Sequence, residues 1–433
     1  MGVLDADQPR IIGVCEDGHS LYVRLNRLHR LSNRRSPLLR TLSSETFWRD
    51  LLAIGDARQR PRWRRMSEYR ELVLGGEMAR IVDAYAAGDY LPAPPVRHHL
   101  NKANGSKKVV FTFAAPDELL FKALNQAMQR PLDECLSPLC HSFRPQRGPR
   151  SAYAAVRSVV DLDQLACLHV DVRDFFNSIP VESVLQRLPD VIRRDKSLIR
   201  LLEATLGDPR VISDGIVVVD THKGVMAGAP LAPVLSNLYL RELDELFEAS
   251  GVPYLRYADD IVVFAPPDDV DAHRDLIERE LLHLGLELNQ GKTRVSAPGE
   301  AWDFVGFRYE RGRLDVAPRT AAKLSGRVRR LARRARERSD GCGFMVRRLN
   351  RRLYGVGGRE ADFTWAGWFF PLLTTDTTLR SLDRLIQGQL RYAVTGRHEK
   401  RNFRVVPYEA LRRSGYVPLV TAFHGYRAGT WRL

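Results

Sequence analysis

Tyr254-Leu255-Arg256-Tyr257-Ala258-Asp259-Asp260-Ile261-Val262-Val263-Phe264 decides how this chain is read. Two short runs of β-branched and aromatic residues flank Ala-Asp-Asp, the pattern of a β-hairpin with an acidic pair at its tip. Adjacent carboxylates at a tight turn repel each other and are costly unless a cation sits between them. A divalent metal ion would remove that cost. Asp-Asp is also common in solvated turns. Leu255, Tyr257, Ile261, Val263 and Phe264 shift the balance, because they imply a buried hairpin, and buried carboxylates need a partner.

The chain has 433 residues, enough for a large core and several subdomains. Lys and Arg number 67 against 52 Asp and Glu, a net charge of +15, with a sequence pI near 9.8. Most of the basic excess is arginine, which pairs bidentately with phosphate and stacks on bases. A polyanionic partner, nucleic acid, is the leading inference, against a merely basic surface. Cys15, Cys135, Cys140, Cys167 and Cys342 form no CxxC pair. An odd, scattered set fits a reducing cytoplasm and argues against a zinc knuckle. Cys135 and Cys140 read as core or helix-end thiols. No signal peptide and no membrane-spanning run is expected.

Residues 1–66 form a basic extension in which Arg24, Arg27, Arg30, Arg34, Arg35 and Arg40 recur, either along a nucleic-acid-binding helix or on a solvated face. A helix is predicted over 67–90, stopped by Leu91-Pro92-Ala93-Pro94-Pro95. His98 to Phe113 reads as strand, Asn-Gly turn, strand. Lys102, Lys107 and Lys108 on this hairpin suit a triphosphate, or protect an edge strand. His98 and His99 have no acidic or cysteine neighbour at ligand spacing. Helices follow over 116–136 and about 149–162, with Arg144, Arg147 and Gly148 in a turn between them. Leu165 to Val172 is a mostly apolar strand ending on Asp171, and 181–206 is helical. Gly224 to Pro233 is a Gly/Pro-punctuated loop, able to approach a ligand closely, that feeds a helix from Val234 to Phe247. Beyond the Asp-Asp hairpin come a helix over 271–285, Leu286 to Val295, and a compact hairpin from Trp302 to Phe307.

From about residue 318 arginines crowd one predicted helix (Arg327, Arg329, Arg330, Arg333, Arg334, Arg336 and Arg338), with Arg347, Arg348, Arg351 and Arg352 on the next. Such like charge is destabilising without a polyanion, although a solvated basic helix reads the same way. Trp365, Trp368, Phe369 and Phe370 are read as the core of a small domain. No repeat and no low-complexity linker is visible.

Taken in order, these segments resemble a bacterial reverse transcriptase of the group II intron-like lineage, from about residue 90 onward and most densely between 141 and 309. Ser142-Phe143-Arg144-Pro145-Gln146-Arg147-Gly148 looks like the family's FRPxR fingers motif. Asp171 through Ile179 is similar to palm motif A, Gly224 through Leu240 to motif B, and Tyr257-Ala258-Asp259-Asp260 to motif C, the YxDD box. Leu284 to Val295, with Lys292, resembles motif D. Trp302 to Phe307, with Gly306, resembles the motif E primer grip. Two departures stand out. Met226-Ala227-Gly228 replaces the usual Pro-Gln-Gly, and Lys108 stands where many relatives carry arginine. No Cys/His-rich endonuclease segment is expected after the thumb.

The resemblance implies an α+β right-hand polymerase fold, with fingers and palm of antiparallel sheet and helices plus a helical thumb. The divisions are 1–66 extension, 67–165 fingers, 166–312 palm and 313–433 thumb and C-terminal region. It implies an RNA-directed DNA polymerase working on an RNA template, a DNA primer and dNTPs. Phosphoryl transfer needs charge neutralised at the attacking and leaving oxygens, commonly by two divalent ions roughly 3.5–4 Å apart. Asp171, Asp259 and Asp260 supply such a set, with the carbonyl of Val172, and two Mg²⁺ ions suit these oxygens, Mn²⁺ being a substitute. In the resemblance Phe176 is the bulky gate against a ribose 2′-hydroxyl, although either Phe175 or Phe176 could be core. Lys102, Lys108, Gly228 and Lys292 are the other nucleotide-binding candidates. Arg144, Arg147, Gly306, Arg327, Arg330 and Arg334 are the nucleic-acid-binding candidates. Compact enzymes of this look resemble the "unknown group" linked to anti-phage defence, which work with a non-coding RNA encoded beside them. Intron mobility is the runner-up. An RNA-binding maturase-type module with a vestigial site is a further alternative, as is an RNA-directed RNA polymerase, against which Phe176 argues.

Overall fold

The computed structural model describes residues 36–58, 63, 65–101, 105, 107–355 and 364–431. Two interleaved compact units result, one from the chain up to Gly148 with Val170–Ile261 and His273–Lys292, the other from Pro149–His169, Val262–Ala272 and Thr293–Leu433. The architecture is α+β, as the sequence predicts. Among the described residues no helix is long and apolar enough to cross a membrane.

The strands that place the acidic residues are β3 (Ala166–Asp171), β6 (Tyr254–Tyr257), β7 (Asp260–Ala265) and β8 (Arg294–Ser296), in the sheet order β6-β7-β3-β8. The pattern explains the order. β3 and β7 are nearly continuous apolar runs, suited to burial on both faces, and they take the two central places. β8, short and largely exposed, pairs antiparallel with β3 at the edge.

The first unit holds a sheet ordered β2-β1-β4-β5, from β1 (Val96–Asn101), β2 (Lys107–Thr112), β4 (Arg210–Ser213) and β5 (Ile216–Val219). The β1–β2 pairing is as predicted, and Asn104 of its predicted Asn-Gly turn lies outside the described residues. The β4–β5 hairpin is additional, turning at Asp214-Gly215 with φ of 52° and 83°. That dipeptide suits such a turn because both residues need positive φ. Several predicted helices prove segmented. The stretch 67–90 is two helices, Met66–Leu74 and Glu77–Ala87, because Gly76 takes a φ of 74° between them. The stretch 181–206 is Val181–Gln186, Asp190–Arg193 and Lys196–Gly207, interrupted at Pro189 and recapped by the Asp195 carboxylate on Leu198 N–H at 3.0 Å. Val234–Phe247 is Ala232–Tyr239 followed by Arg241–Ser250. Within the extension, helices Pro37–Leu42 and Glu45–Arg58 form, and Arg40 is exposed. Arg24, Arg27, Arg30, Arg34 and Arg35 lie outside the described residues.

In the second unit, β9 (Trp302–Phe304), β10 (Phe307–Glu310) and β11 (Arg313–Val316) form an antiparallel sheet in the order β11-β10-β9. Tyr153 seals it: its ring lies 5.1 Å from Phe307, and its hydroxyl donates to the Phe304 carbonyl at 2.8 Å. Helix Pro318–Arg336 turns Leu324, Val328, Ala332 and Ala335 inward and packs on helix Thr377–Thr395, whose Leu379, Leu382, Ile386 and Leu390 are buried. Phe369 and Phe370 are core, as read from the sequence, whereas Trp365 and Trp368 are only half-buried.

Candidate active site

The site is built where β3 ends and where β6 turns into β7. Only Ala258 and Asp259 separate the two hairpin strands, and Ala258 takes a φ of 62°. Val172, directly after β3, donates its N–H to the Asp259 carbonyl at 3.2 Å, so the hairpin tip is fastened beside Asp171. Asp171 is met by Lys292, whose Nζ lies 2.6 Å from both carboxylate oxygens, and by Asn289 Nδ2 at 3.0 Å. The Asp171 side chain is 14% exposed and that of Lys292 is 40%.

Burial, then the negative charge of Asp171, pushes the Asp259 carboxyl up to about 6; Asp260 adds to the rise, while Asp259's own backbone N–H and Lys292 oppose it. Three carboxylates thus share one electrostatic neighbourhood. Among the described residues no three His, Cys, Asp or Glu side chains converge as ligands, and Asp171 instead meets Lys292. The donor chemistry nonetheless fits a hard divalent cation: clustered carboxylates, one unfavourably charged, with an ammonium taking up part of the excess.

Motif A and the Gly/Pro loop are laced together by a residue that the sequence does not single out. Asn177 Oδ1 accepts from Ala227 N–H at 2.8 Å, and its Nδ2 donates to the Val109 carbonyl on β2 at 3.2 Å. Phe175 is core, and Phe176 is half-buried, its ring centroid 6.4 Å from that of Phe143. Phe143 also lies 6.5 Å from Tyr257 and is 38% exposed, so an aromatic cluster borders the acidic turn. Gly228 has a φ of 106°, and a Cβ there would meet the Phe111 carbonyl oxygen at 2.5 Å. Gly228→Ala is therefore expected to displace the loop from β2 and destabilise the protein by about 1–3 kcal/mol. Thermal melting checks this; an unchanged midpoint would show that the loop yields freely.

Other predicted residues fall in different places. Arg144 corrects the expectation that it faces nucleic acid. Its guanidinium is buried and committed to Asp133 Oδ1 at 2.6 Å and to the carbonyls of Ser137, Cys140 and Asp133. It holds the loop that follows helix Ala115–Asp133. Arg147 is half-buried and donates to the Pro138 carbonyl at 2.7 Å. Lys108 is exposed on β2, and Lys102 lies outside the described residues. Gly306, with φ 87°, forms the β9–β10 turn; a Cβ there would meet Thr320 Oγ1 at 3.2 Å and Phe369 at 3.5 Å. Its observed role is that of a packed turn. Arg327, Arg330 and Arg334 are exposed.

The sheet β6-β7-β3-β8 thus carries its acids at adjoining strand ends within an α+β architecture. Residues 115–309 match the family described as Reverse transcriptase (RNA-dependent DNA polymerase), and this segment is a reverse transcriptase domain, that of an RNA-directed DNA polymerase. The chain is similar to protein YkfC of Escherichia coli, 25% identical over 280 residues that make up 55% of this chain and 73% of that protein. It is also similar to an uncharacterized 91 kDa protein in the cob intron of Schizosaccharomyces pombe, 24% identical over 176 residues, 39% of this chain and 20% of that one. Among solved structures, apo telomerase from Candida tropicalis aligns with a TM-score of 0.46 at 13% identity, covering 76% of this chain and 63% of that one.

Proposed function

We propose that this protein extends a DNA primer along an RNA template with dNTPs. One observation carries the reading: the β6–β7 turn sets Asp259 and Asp260 beside the end of β3, where Asp171 stands. Asp171, Asp259 and Asp260, with the Val172 carbonyl, would hold two Mg²⁺ ions, or Mn²⁺ in their place. Bound there, the ions neutralise charge on the attacking and leaving oxygens of phosphoryl transfer. In this reading Asp171 and Asp259 would be the principal ligands and Asp260 a lesser one. Lys292, already against Asp171, exchanges that contact for the triphosphate, and Lys108 and Lys102 are its further cationic candidates. Purified protein, a primed RNA, labelled dNTPs and Mg²⁺ make the test. Labelled DNA complementary to the template is the expected product, and its absence with either ion would overturn the reading.

Sugar selection is assigned to Phe176. Its neighbour Phe175 fills the core, which leaves Phe176 as the half-buried ring, next to Phe143, the ring that neighbours Tyr257 of the acidic hairpin. A phenyl ring both blocks a 2′-hydroxyl and offers it no hydrogen bond. Phe176→Ala is expected to raise NTP incorporation relative to dNTP by about 10- to 100-fold. Competition between the two nucleotides on one primed RNA measures this, and unchanged discrimination would place the gate elsewhere.

The biological setting we infer is a group II intron-like enzyme of the "unknown group" type, acting in anti-phage defence with an associated non-coding RNA in a reducing cytoplasm. Among the described residues Cys135, Cys140, Cys167 and Cys342 form no disulfide, in keeping with such a compartment. The relative within the cob intron favours the second reading, intron mobility with maturase-type RNA binding. Sequencing the nucleic acid that copurifies with the protein separates them: a discrete non-coding RNA supports the first and intron RNA the second.

A further inference from the structure

The turn that carries Asp259 and Asp260 is gripped from behind by a buried polar network. The side chains of Arg256 and Asp244 are both 0% exposed. Arg256 Nε donates to Asp244 Oδ1 at 2.7 Å and Nη2 to Asp244 Oδ2 at 2.5 Å, while the Tyr254 hydroxyl donates to the same Oδ1 at 2.8 Å. Burial alone would lower the Arg256 pKa, but the Asp244 charge outweighs it and keeps the guanidinium ionised.

The guanidinium also reaches the other way. Nη1 donates to Asn237 Oδ1 at 3.1 Å and to the Ala258 carbonyl at 3.3 Å, and Nη2 to the Asn237 carbonyl at 3.4 Å. Asn237 Nδ2 donates to the Ser142 carbonyl at 2.8 Å, and Ser142 Oγ donates to Asn237 Oδ1 at 3.2 Å. Ser142 Oγ accepts from Ala258 N–H at 2.8 Å. Both backbone polar groups of Ala258 are therefore held, its carbonyl by Arg256 and its N–H by Ser142.

Ala258 is the residue whose left-handed backbone turns β6 into β7. An alanine there is strained and persists only where its surroundings over-determine it. A buried ion pair serving only to join helix Arg241–Ser250 to β6 could be replaced by apolar packing at little loss. Bonds leaving that pair for the peptide beside Asp259 point to a second task. We propose that Arg256, held by Asp244, acts with Asn237 and Ser142 as a positioning device that fixes the Ala258 peptide and thereby aims the Asp259 carboxylate at the cation site. The proposal rests on the polymerase reading, in which that carboxylate is a metal ligand.

Three variants test it: Ser142→Ala, Arg256→Lys, and the paired apolar replacement Arg256→Met with Asp244→Leu. The first readout is Mn²⁺ binding by electron paramagnetic resonance, which needs no turnover. Single-nucleotide addition and primed-template affinity in Ca²⁺ follow. Outer hydrogen-bond partners of metal ligands typically govern affinity by about 10- to 100-fold, and a loss of that order is expected in all three. Template affinity should stay within about twofold, because no nucleic-acid contact is assigned to these residues. Arg256→Lys keeps the charge opposite Asp244 but lacks the fork, so it separates pairing from positioning. Wild-type Mn²⁺ affinity in Ser142→Ala and Arg256→Lys would overturn the proposal. Should circular dichroism show the paired variant unfolded, Ser142→Ala decides alone. Failure of the wild type to extend any primed template sinks the polymerase reading instead, and the Mn²⁺ arm still reports on the network.

Discussion

Asp259→Asn is expected to remove primer extension while making the metal-free protein more stable at pH 7. The first effect follows from the proposed ligand role: loss of one strong electrostatic contribution to a transition state costs about 10²–10³ in rate, and a principal ligand more. The second follows from the carboxyl's environment. Burial and the Asp171 charge raise the Asp259 pKa from 3.8 in the unfolded chain to about 6 in the folded one. A carboxyl raised in this way favours folding in its protonated form. That contribution is fully present below the unfolded value and is lost as pH rises through about 6. At pH 7 the ionised group therefore works against the fold, by a ceiling of about 3 kcal/mol that water at this half-buried site reduces. Asparagine carries no charge to bury. The variant should melt a few degrees higher than wild type at pH 7 in chelator, and the two should converge near pH 4. Measuring melts across pH with extension in parallel checks both halves. Near-normal extension would remove the central assignment. A variant that melts lower than wild type at pH 7 would show that Asp259 is a structural acid with a partner, not a cation ligand kept ready.

The acidic turn was legible because it combines two local signals, a hairpin pattern and adjacent carboxylates that burial makes costly. The Phe175–Phe176 ambiguity was visible too, and only packing could separate core from surface. The grip on the turn was not legible. Arg256 sits in an otherwise apolar strand, which hints at a buried acid partner, but Asp244 lies on an amphipathic helix where an acid ordinarily faces solvent. Arg144 misled for the converse reason: an arginine within a basic motif looks available, whereas its donors close a loop on carbonyls just upstream. Helix breaks at Gly76 and Pro189, and the β4–β5 turn at Asp214-Gly215, carried proper signals in glycine and proline. The apolar spacing across 67–90 and 181–206 masked the first two, and the brevity of β4 and β5 masked the third.

The second large effect is expected from helix Pro318–Arg336. Its buried residues, Leu324, Val328, Ala332 and Ala335, define one stripe, and at 3.6 residues per turn Arg327, Arg330 and Arg334 fall together on one flank of the exposed face. Arg329, Arg333 and Arg336 fall on the other flank. Among the described residues no acidic side chain pairs with Arg327, Arg330 or Arg334, and Arg327 adds its positive charge to the burial that lowers the Arg352 pKa. Arg336, in contrast, lies over the Tyr392 ring at 6.0 Å. An unneutralised row on a rigid helix suits a phosphate backbone, which it would position without reading sequence. Each arginine–phosphate pairing that is removed lowers the salt slope by about 0.9 on a B-form duplex, so replacing Arg327, Arg330 and Arg334 by glutamine should lower it by about 2.7. Over the range from about 50 to 200 mM salt, three such pairings amount to roughly 1.6 decades of affinity. Affinity for a primed RNA–DNA hybrid and processivity should fall together, with single-nucleotide addition at saturating template spared. The variant with glutamine at Arg329 and Arg333 is the internal comparison, because it removes similar charge from the opposite flank. Equal slopes for both variants would mean diffuse attraction by net charge. A wild-type slope in the triple variant would mean that this flank does not meet the duplex, and the thumb assignment would lose its physical support.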